Sequence, residues 1–100
     1  MNNFSYLADK VLDKIVETIE SKDINCEIDI DNHGDLIELN TENGIFVINK
    51  HSAAMEIWLA SPISGPHHFG YKNNSWQSSN GLELFEVLTK DLKIIFSQEI

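Results

Sequence analysis

The chain has 100 residues, 42% of them hydrophobic and 9% aromatic, which gives one modest core and excludes a disordered segment. Sixteen acidic against seven basic residues leave a net charge of −9, the wrong sign for gripping nucleic-acid phosphates; cations and basic protein surfaces are the natural counterparts. No apolar run nears the roughly 20 residues that span a bilayer, Met1-Asn2-Asn3 lacks signal-peptide character, and the lone Cys26 fits a reducing compartment, so a single cytoplasmic domain over 1–100 is expected.

Phe4, Leu7, Ala8, Val11, Leu12, Ile15, Val16 and Ile19 recur at helical spacing and predict an amphipathic helix over about 3–22. Asp9, Asp13, Glu17 and Glu20 fall within an arc of roughly 80° on its polar side, with Lys10 and Lys14 at the arc's edge. Asp9/Asp13 and Asp13/Glu17 are like-charge pairs four residues apart, each costing roughly 0.2–0.5 kcal/mol. A solvated helix face and a surface for cations or basic partners both fit this stripe.

After Asp23, the run Cys26-Glu27-Ile28-Asp29-Ile30-Asp31 alternates, which predicts a strand with Cys26, Ile28 and Ile30 inward and the three acids outward. Outward acids also protect an edge strand from pairing with other chains. Asn32-His33-Gly34 turns the chain into a strand over Asp35–Thr41, and Asn43-Gly44 predicts a type I′ hairpin into Ile45–Asn49. Phe46 and Ile48 should face the helices, leaving Asn49 on the open face.

Lys50 to Ala54 connect to the next strand, where Met55, Ile57 and Leu59 alternate with Glu56, Trp58 and Ala60. Burying Glu56 unpaired is expensive, so the first set faces the core and Trp58 the open side. Trp58 there is either a partner contact or a lid folded over neighbouring side chains. Ser61 to Pro66, with two prolines and Gly65, reads as an irregular turn. In the following strand Phe69 and Tyr71 point inward and His68 outward, so His67 and His68 cannot easily share one metal. Trp76 marks one more short strand. Asn80 and Glu83 are spaced as an N-cap and its N3 partner for a helix over about 81–95, with Leu84, Phe85, Leu88, Leu92 and Ile95 buried.

The expected fold is therefore α+β, a two-layer sandwich of helix, antiparallel sheet of five or six strands, and helix, with both helices on one face. No nucleophile motif, glycine-rich phosphate loop, CxxC, HExxH or EF-hand loop is present, and no enzymatic activity is expected. The remaining chemistry is exposed carboxylate, a hard oxygen donor suited to weak and unselective binding of Mg²⁺, Ca²⁺, Mn²⁺ or high-spin iron, which by itself describes an acidic binding module.

Asn43-Gly44, Ile48-Asn49-Lys50, the run Ile57-Trp58-Leu59-Ala60-Ser61-Pro62-Ile63-Ser64-Gly65-Pro66, Trp76, and Gly81 with Leu84 and Leu88 resemble the frataxin family, in its bacterial, CyaY-type form. The resemblance covers essentially the whole chain and implies the fold just described. It also implies weak Fe²⁺/Fe³⁺ binding along an acidic ridge, here Asp9, Asp13, Glu17, Glu20, Asp23, Glu27, Asp29 and Asp31. It implies docking on the cysteine desulfurase and scaffold protein of iron–sulfur cluster assembly, through Asn49, Trp58 and His68. A monomer is expected, with iron-dependent oligomers possible within the family. Gly70 stands where the family often has an acid, and Val16 and Ser21 stand where ridge acids can occur. Longer relatives pack a C-terminal segment between the helices, so modest stability is expected. Against the iron-binding modulator stand a pure protein-interaction regulator with incidental metal binding and, more remotely, a ferroxidase or iron store.

Overall fold

The structure, a computed structural model, describes residues 3–97. Helix α1 (Phe4–Lys22) leads into strands β1 (Asp29–Asn32), β2 (Leu36–Thr41), β3 (Gly44–His51), β4 (Glu56–Ser61), β5 (Gly65–Lys72) and β6 (Ser75–Gln77), and helix α2 (Leu84–Leu92) follows. The strands pair antiparallel in chain order, so each turn joins neighbours. No helix among the described residues is long and apolar enough to cross a membrane.

Period-two patterning places the core. Ile37, Ile48 and Leu59 form one cross-strand row, Leu39 faces Phe46, and Ile57 faces Phe69; all are at most 1% exposed. Phe4, Ala8, Val11, Leu12, Ile15 and Ile19 of α1 and Leu84, Phe85 and Leu88 of α2 close over that face. Each Val, Leu, Ile or Phe among them gains about 1.5–3 kcal/mol from full burial, so this layer carries most of the fold. The open face is left with Leu36, Asn49, Trp58 and His68 in one register row.

Four local expectations are corrected, each where the backbone changes hand or phase. Cys26 is exposed at φ +53, in the loop before β1, rather than buried in a strand. Met55, at φ +56 and 48% exposed, ends the β3–β4 turn instead of starting the inward set. The Glu42-Asn43 turn is not type I′, because neither residue has positive φ; Gly44 takes it, at +125. A Cβ there would approach Pro62 Cβ to 2.8 Å, so glycine also admits the close pass of the next turn. Finally β5 begins at Gly65 and takes in Pro66. The strand β6 reaches only as far as Gly70, so β5 is an edge at that end and tolerates the missing N–H.

Helix α2 is shorter than its pattern suggests. Its N-cap is Glu83, whose carboxylate accepts from Phe85 N and Glu86 N, both at 3.0 Å. Asn80 instead accepts from the Ser78 hydroxyl in the preceding turn. The helix stops at Lys93, which is left-handed at φ 60. That reversal turns Ile95 out to 70% exposure and brings Phe96 in, parallel to Phe85 at 6.2 Å.

The turn Ser61–Ser64 is tied to α2 by a polar cluster around the buried Asp91. Asp91 Oδ2 accepts from Ser61 Oγ at 2.8 Å and from Ser64 Oγ at 2.5 Å. Ser61 Oγ in turn accepts from Ile63 N and Ser64 N, and Ser64 Oγ meets His67 Nε2 at 2.8 Å.

Candidate functional site

Two surfaces carry the chemistry-bearing residues. The first is the polar flank of α1 with the loop and edge strand beyond it. Asp13, Glu17 and Glu20 are exposed there at successive turns, and Glu27 and Asp29 are exposed further on. None of these five carboxylates has a hydrogen-bond or ion-pair partner among the described residues. Such groups remain hydrated and available to a cation.

Three of the eight expected ridge acids are already engaged. Asp9 Oδ1 lies 2.8 Å from Lys50 Nζ, which also reaches Ser5 Oγ at 3.1 Å and Asp35 Oδ1 at 3.5 Å. Asp23 uses both carboxylate oxygens on the backbone, accepting from Glu27 N and Ile28 N at 2.9 Å each, and so shapes the loop from α1 into β1. Asp31 turns to the open face of the sheet, with its Oδ2 3.3 Å from His33 Nε2.

Lys50 was not among the expected site residues, although strand parity puts it on the helix side, between Ile48 and the end of β3. Its side chain is only 8% exposed. The Asp9 hydrogen bond, with the charges of Asp9 and Asp35, raises its pKa above the ordinary 10.5 against the opposing cost of burial. Because the folded value lies above the unfolded one, the clamp contributes in full at neutral pH and is lost as pH rises through the folded value. Both carboxylates remain largely in solvent, so that contribution is modest, about 1 kcal/mol. In urea unfolding, wild type should exceed Lys50→Met in stability at about pH 8, and the gap should narrow as pH rises beyond the ordinary lysine value of 10.5. A gap that widens with pH would contradict the clamp.

The second surface is the open face around Trp58. The indole is sandwiched between two imidazoles: His51 at 3.8 Å and 11° between planes, and His68 at 4.1 Å and 8°. Its Nε1 donates to Glu56 Oε1 at 2.8 Å. Trp58 is half-buried, and with both ring faces covered its edge is the part left open. Asn49 lies directly across β3 and His68 directly across β5. His67 points to the opposite side, near Phe69, so the two histidines do not converge. The expected connection over Lys50 to Ala54 hides His51, which two more residues of β3 place on Asn49's face, opposite Glu56. Glu56 shares Trp58's parity, as expected, but alternation alone does not show that it holds the indole N–H.

A groove of about 730 Å³ runs along the other flank of α1, lined by Leu7, Val11, Tyr71, Trp76 and Phe85. Lys14 sits 5.5 Å from the Phe85 ring there, and Asp13 and Glu17 also border the groove. The groove thus runs beside the acidic line, with apolar, basic and acidic side chains along it.

Comparison with known proteins places this arrangement. A family model described as a frataxin-like domain matches residues 1–98. The iron-sulfur cluster assembly protein CyaY of Pasteurella multocida (strain Pm70) is 34% identical over 88% of this chain and 84% of that protein. The mitochondrial frataxin-like protein of Leishmania donovani is 33% identical over 89% of this chain, and the mitochondrial frataxin homolog of Saccharomyces cerevisiae 34% identical over 91%. The chain spans only about half the length of those two relatives, 52% and 55%. Among solved structures, frataxin from Psychromonas ingrahamii superposes with a TM-score of 0.77 at 30% identity, covering both chains fully. Trimeric yeast frataxin complexed with ferrous iron gives a TM-score of 0.72 at 33% identity, over 93% of this chain and 84% of that one.

Proposed function

The chain belongs to the frataxin family, and from that premise we propose that it is an iron-binding, non-catalytic modulator of cytoplasmic iron–sulfur cluster assembly. In this reading one domain presents two surfaces. Fe²⁺ or Fe³⁺ is cargo held weakly along α1 and the edge strand by Asp13, Glu17, Glu20, Glu27 and Asp29, and other divalent cations compete for the same oxygens. The same acids meet a basic surface of the cysteine desulfurase. Asn49, Trp58 and His68 meet the scaffold protein. The protein acts as a monomer, with iron-dependent oligomers recruited at high loading.

The observation that carries this reading is the line Asp13–Glu17–Glu20, three exposed carboxylates at successive helical turns without partners among the described residues. A helix optimised for stability alone would interleave signs along such a line. Relatives support it: one is named for iron–sulfur cluster assembly, and a yeast frataxin was solved with ferrous iron.

The pure interaction regulator is favoured by one fact, the engagement of Asp9 by Lys50 and of Asp23 by backbone amides. That removes two of the eight carboxylates from any iron site but leaves the exposed line intact. The triple variant Asp13→Asn, Glu17→Gln, Glu20→Gln separates the readings. Iron affinity should fall about tenfold, the sum of three weak, solvent-screened terms, and desulfurase affinity should fall with it. Loss of desulfurase binding with iron affinity unchanged would make the metal incidental. Desulfurase binding that ignores salt would remove the electrostatic docking role, since exposed charges are screened over about 8 Å at physiological ionic strength.

A further inference from the structure

We propose that Asp31, His33 and Glu38 form a mixed nitrogen–oxygen site for a first-row divalent transition metal, on the open face of the sheet at the β1–β2 hairpin. The site takes Asp31 from the expected ridge and joins it to His33 and Glu38, apart from the carboxylate line on α1, and it does not depend on the functional reading above. Asp31 and Glu38 are direct cross-strand partners, and like charges placed so are mutually destabilising unless a cation joins them. His33 follows the end of β1, and its N–H donates to Leu36 O at 2.9 Å, which holds it over the hairpin. Its Nε2 lies 3.3 Å from Asp31 Oδ2 and 3.7 Å from Glu38 Oε1. One ligand atom from each residue falls within 4.8 Å of the others.

These separations discriminate between two roles. A charge-assisted N–H···O bond should close to about 2.7–2.9 Å, and neither contact does. Around a zinc-like ion with ligand bonds of about 2.1 Å, the edge between two tetrahedral ligands is about 3.4 Å. The two histidine contacts bracket that edge. All three side chains are exposed or half-exposed, so small rotations bring the carboxylates to the same spacing and water completes the shell. One imidazole and two carboxylates suit borderline ions such as Zn²⁺, Co²⁺ and Fe²⁺. Ca²⁺ and Mg²⁺ prefer all-oxygen shells, and Cu⁺ prefers sulfur. The oxygen-only line on α1 therefore differs from this site in chemistry as well as position.

Zinc chloride titrated into ¹⁵N-labelled protein tests this through the imidazole ¹H–¹⁵N correlations of the four histidines. One equivalent of Zn²⁺ should move the His33 signals to saturation while those of His51, His67 and His68 stay near their metal-free positions. Asp31→Asn and Glu38→Gln should each weaken zinc binding about tenfold or more, a scale that even outer-shell partners of metal sites reach. His33→Ala should abolish the first equivalent, with backbone amide shifts of β2–β5 confirming an intact sheet. The triple variant on α1 should leave the His33 titration unchanged. His33 signals that stay fixed through several equivalents, or His33→Ala protein that binds zinc as tightly as wild type, would overturn the site.

Discussion

Replacing Asp91 with alanine is expected to lower the melting temperature by about 15 °C. Asp91 is 4% exposed, and one of its oxygens accepts from both Ser61 and Ser64. Hydrogen bonds to a charged group contribute about 1.5–3 kcal/mol each, and deleting the acceptor also strands the buried Ser61 hydroxyl, while the exposed Ser64 can turn to water. A loss of about 3 kcal/mol follows, and in a domain of this size each kcal/mol moves the midpoint by about 4–8 °C. Asp91→Asn keeps an oxygen acceptor and should lose about half as much. Ser61→Ala should cost more than Ser64→Ala, because Ser61 is buried and its Oγ also accepts from Ile63 N and Ser64 N. Thermal unfolding followed by circular dichroism reads all four. An Asp91→Ala midpoint within about 3 °C of wild type would show that the cluster contributes almost nothing to holding the turn against α2.

That cluster also shows why part of the sequence was readable only as a pattern. Ser61-Pro62-Ile63-Ser64-Gly65-Pro66 carries a family resemblance, but nothing within it names its partner, which lies 27 and 30 residues away. The Lys50–Asp9 clamp, 41 residues apart, is hidden in the same way. What alternation can express was legible: the inward set Phe46, Ile48, Ile57, Leu59 and Phe69, and the outward row Asn49, Trp58, His68. Side-chain direction in a strand depends only on parity, so those follow as soon as the strand is recognised. Cys26, Met55 and Lys93 escaped because each adopts a left-handed backbone, and at Lys93 that conformation resets the phase of the segment after it. Hence Ile95 and Phe96 exchange places. Asn80 lost the cap of α2 to Glu83 because the turn from Ser78 to Leu82 closes on itself first.

On the open face the parity was right, and its physical content changed once the strands were seen at full length. Trp58→Ala is expected to weaken binding to the scaffold-containing assembly complex by about 30- to 1,000-fold, the range of a central aromatic contact worth about 2–4 kcal/mol. The stack makes that loss specific. His51 and His68 cover both ring faces and Glu56 holds Nε1, so the indole is fixed before a partner arrives and little rotamer entropy remains to be lost on docking. Truncation also removes two ring contacts of about 0.5–1.5 kcal/mol each, so a fall of several degrees in melting temperature accompanies it. Trp58→Phe separates the two effects. It keeps a ring between the imidazoles and loses the Glu56 bond and the indole edge, so stability should largely recover while binding stays weak. His51→Ala leaves the indole edge in place but frees one face, and should weaken binding by less than either Trp58 change. If Trp58→Phe restores stability and affinity together, the ring serves the sheet and the partner reads another part of this face. If Trp58→Ala binds like wild type, the two histidines and the indole form a lid over the sheet and nothing more.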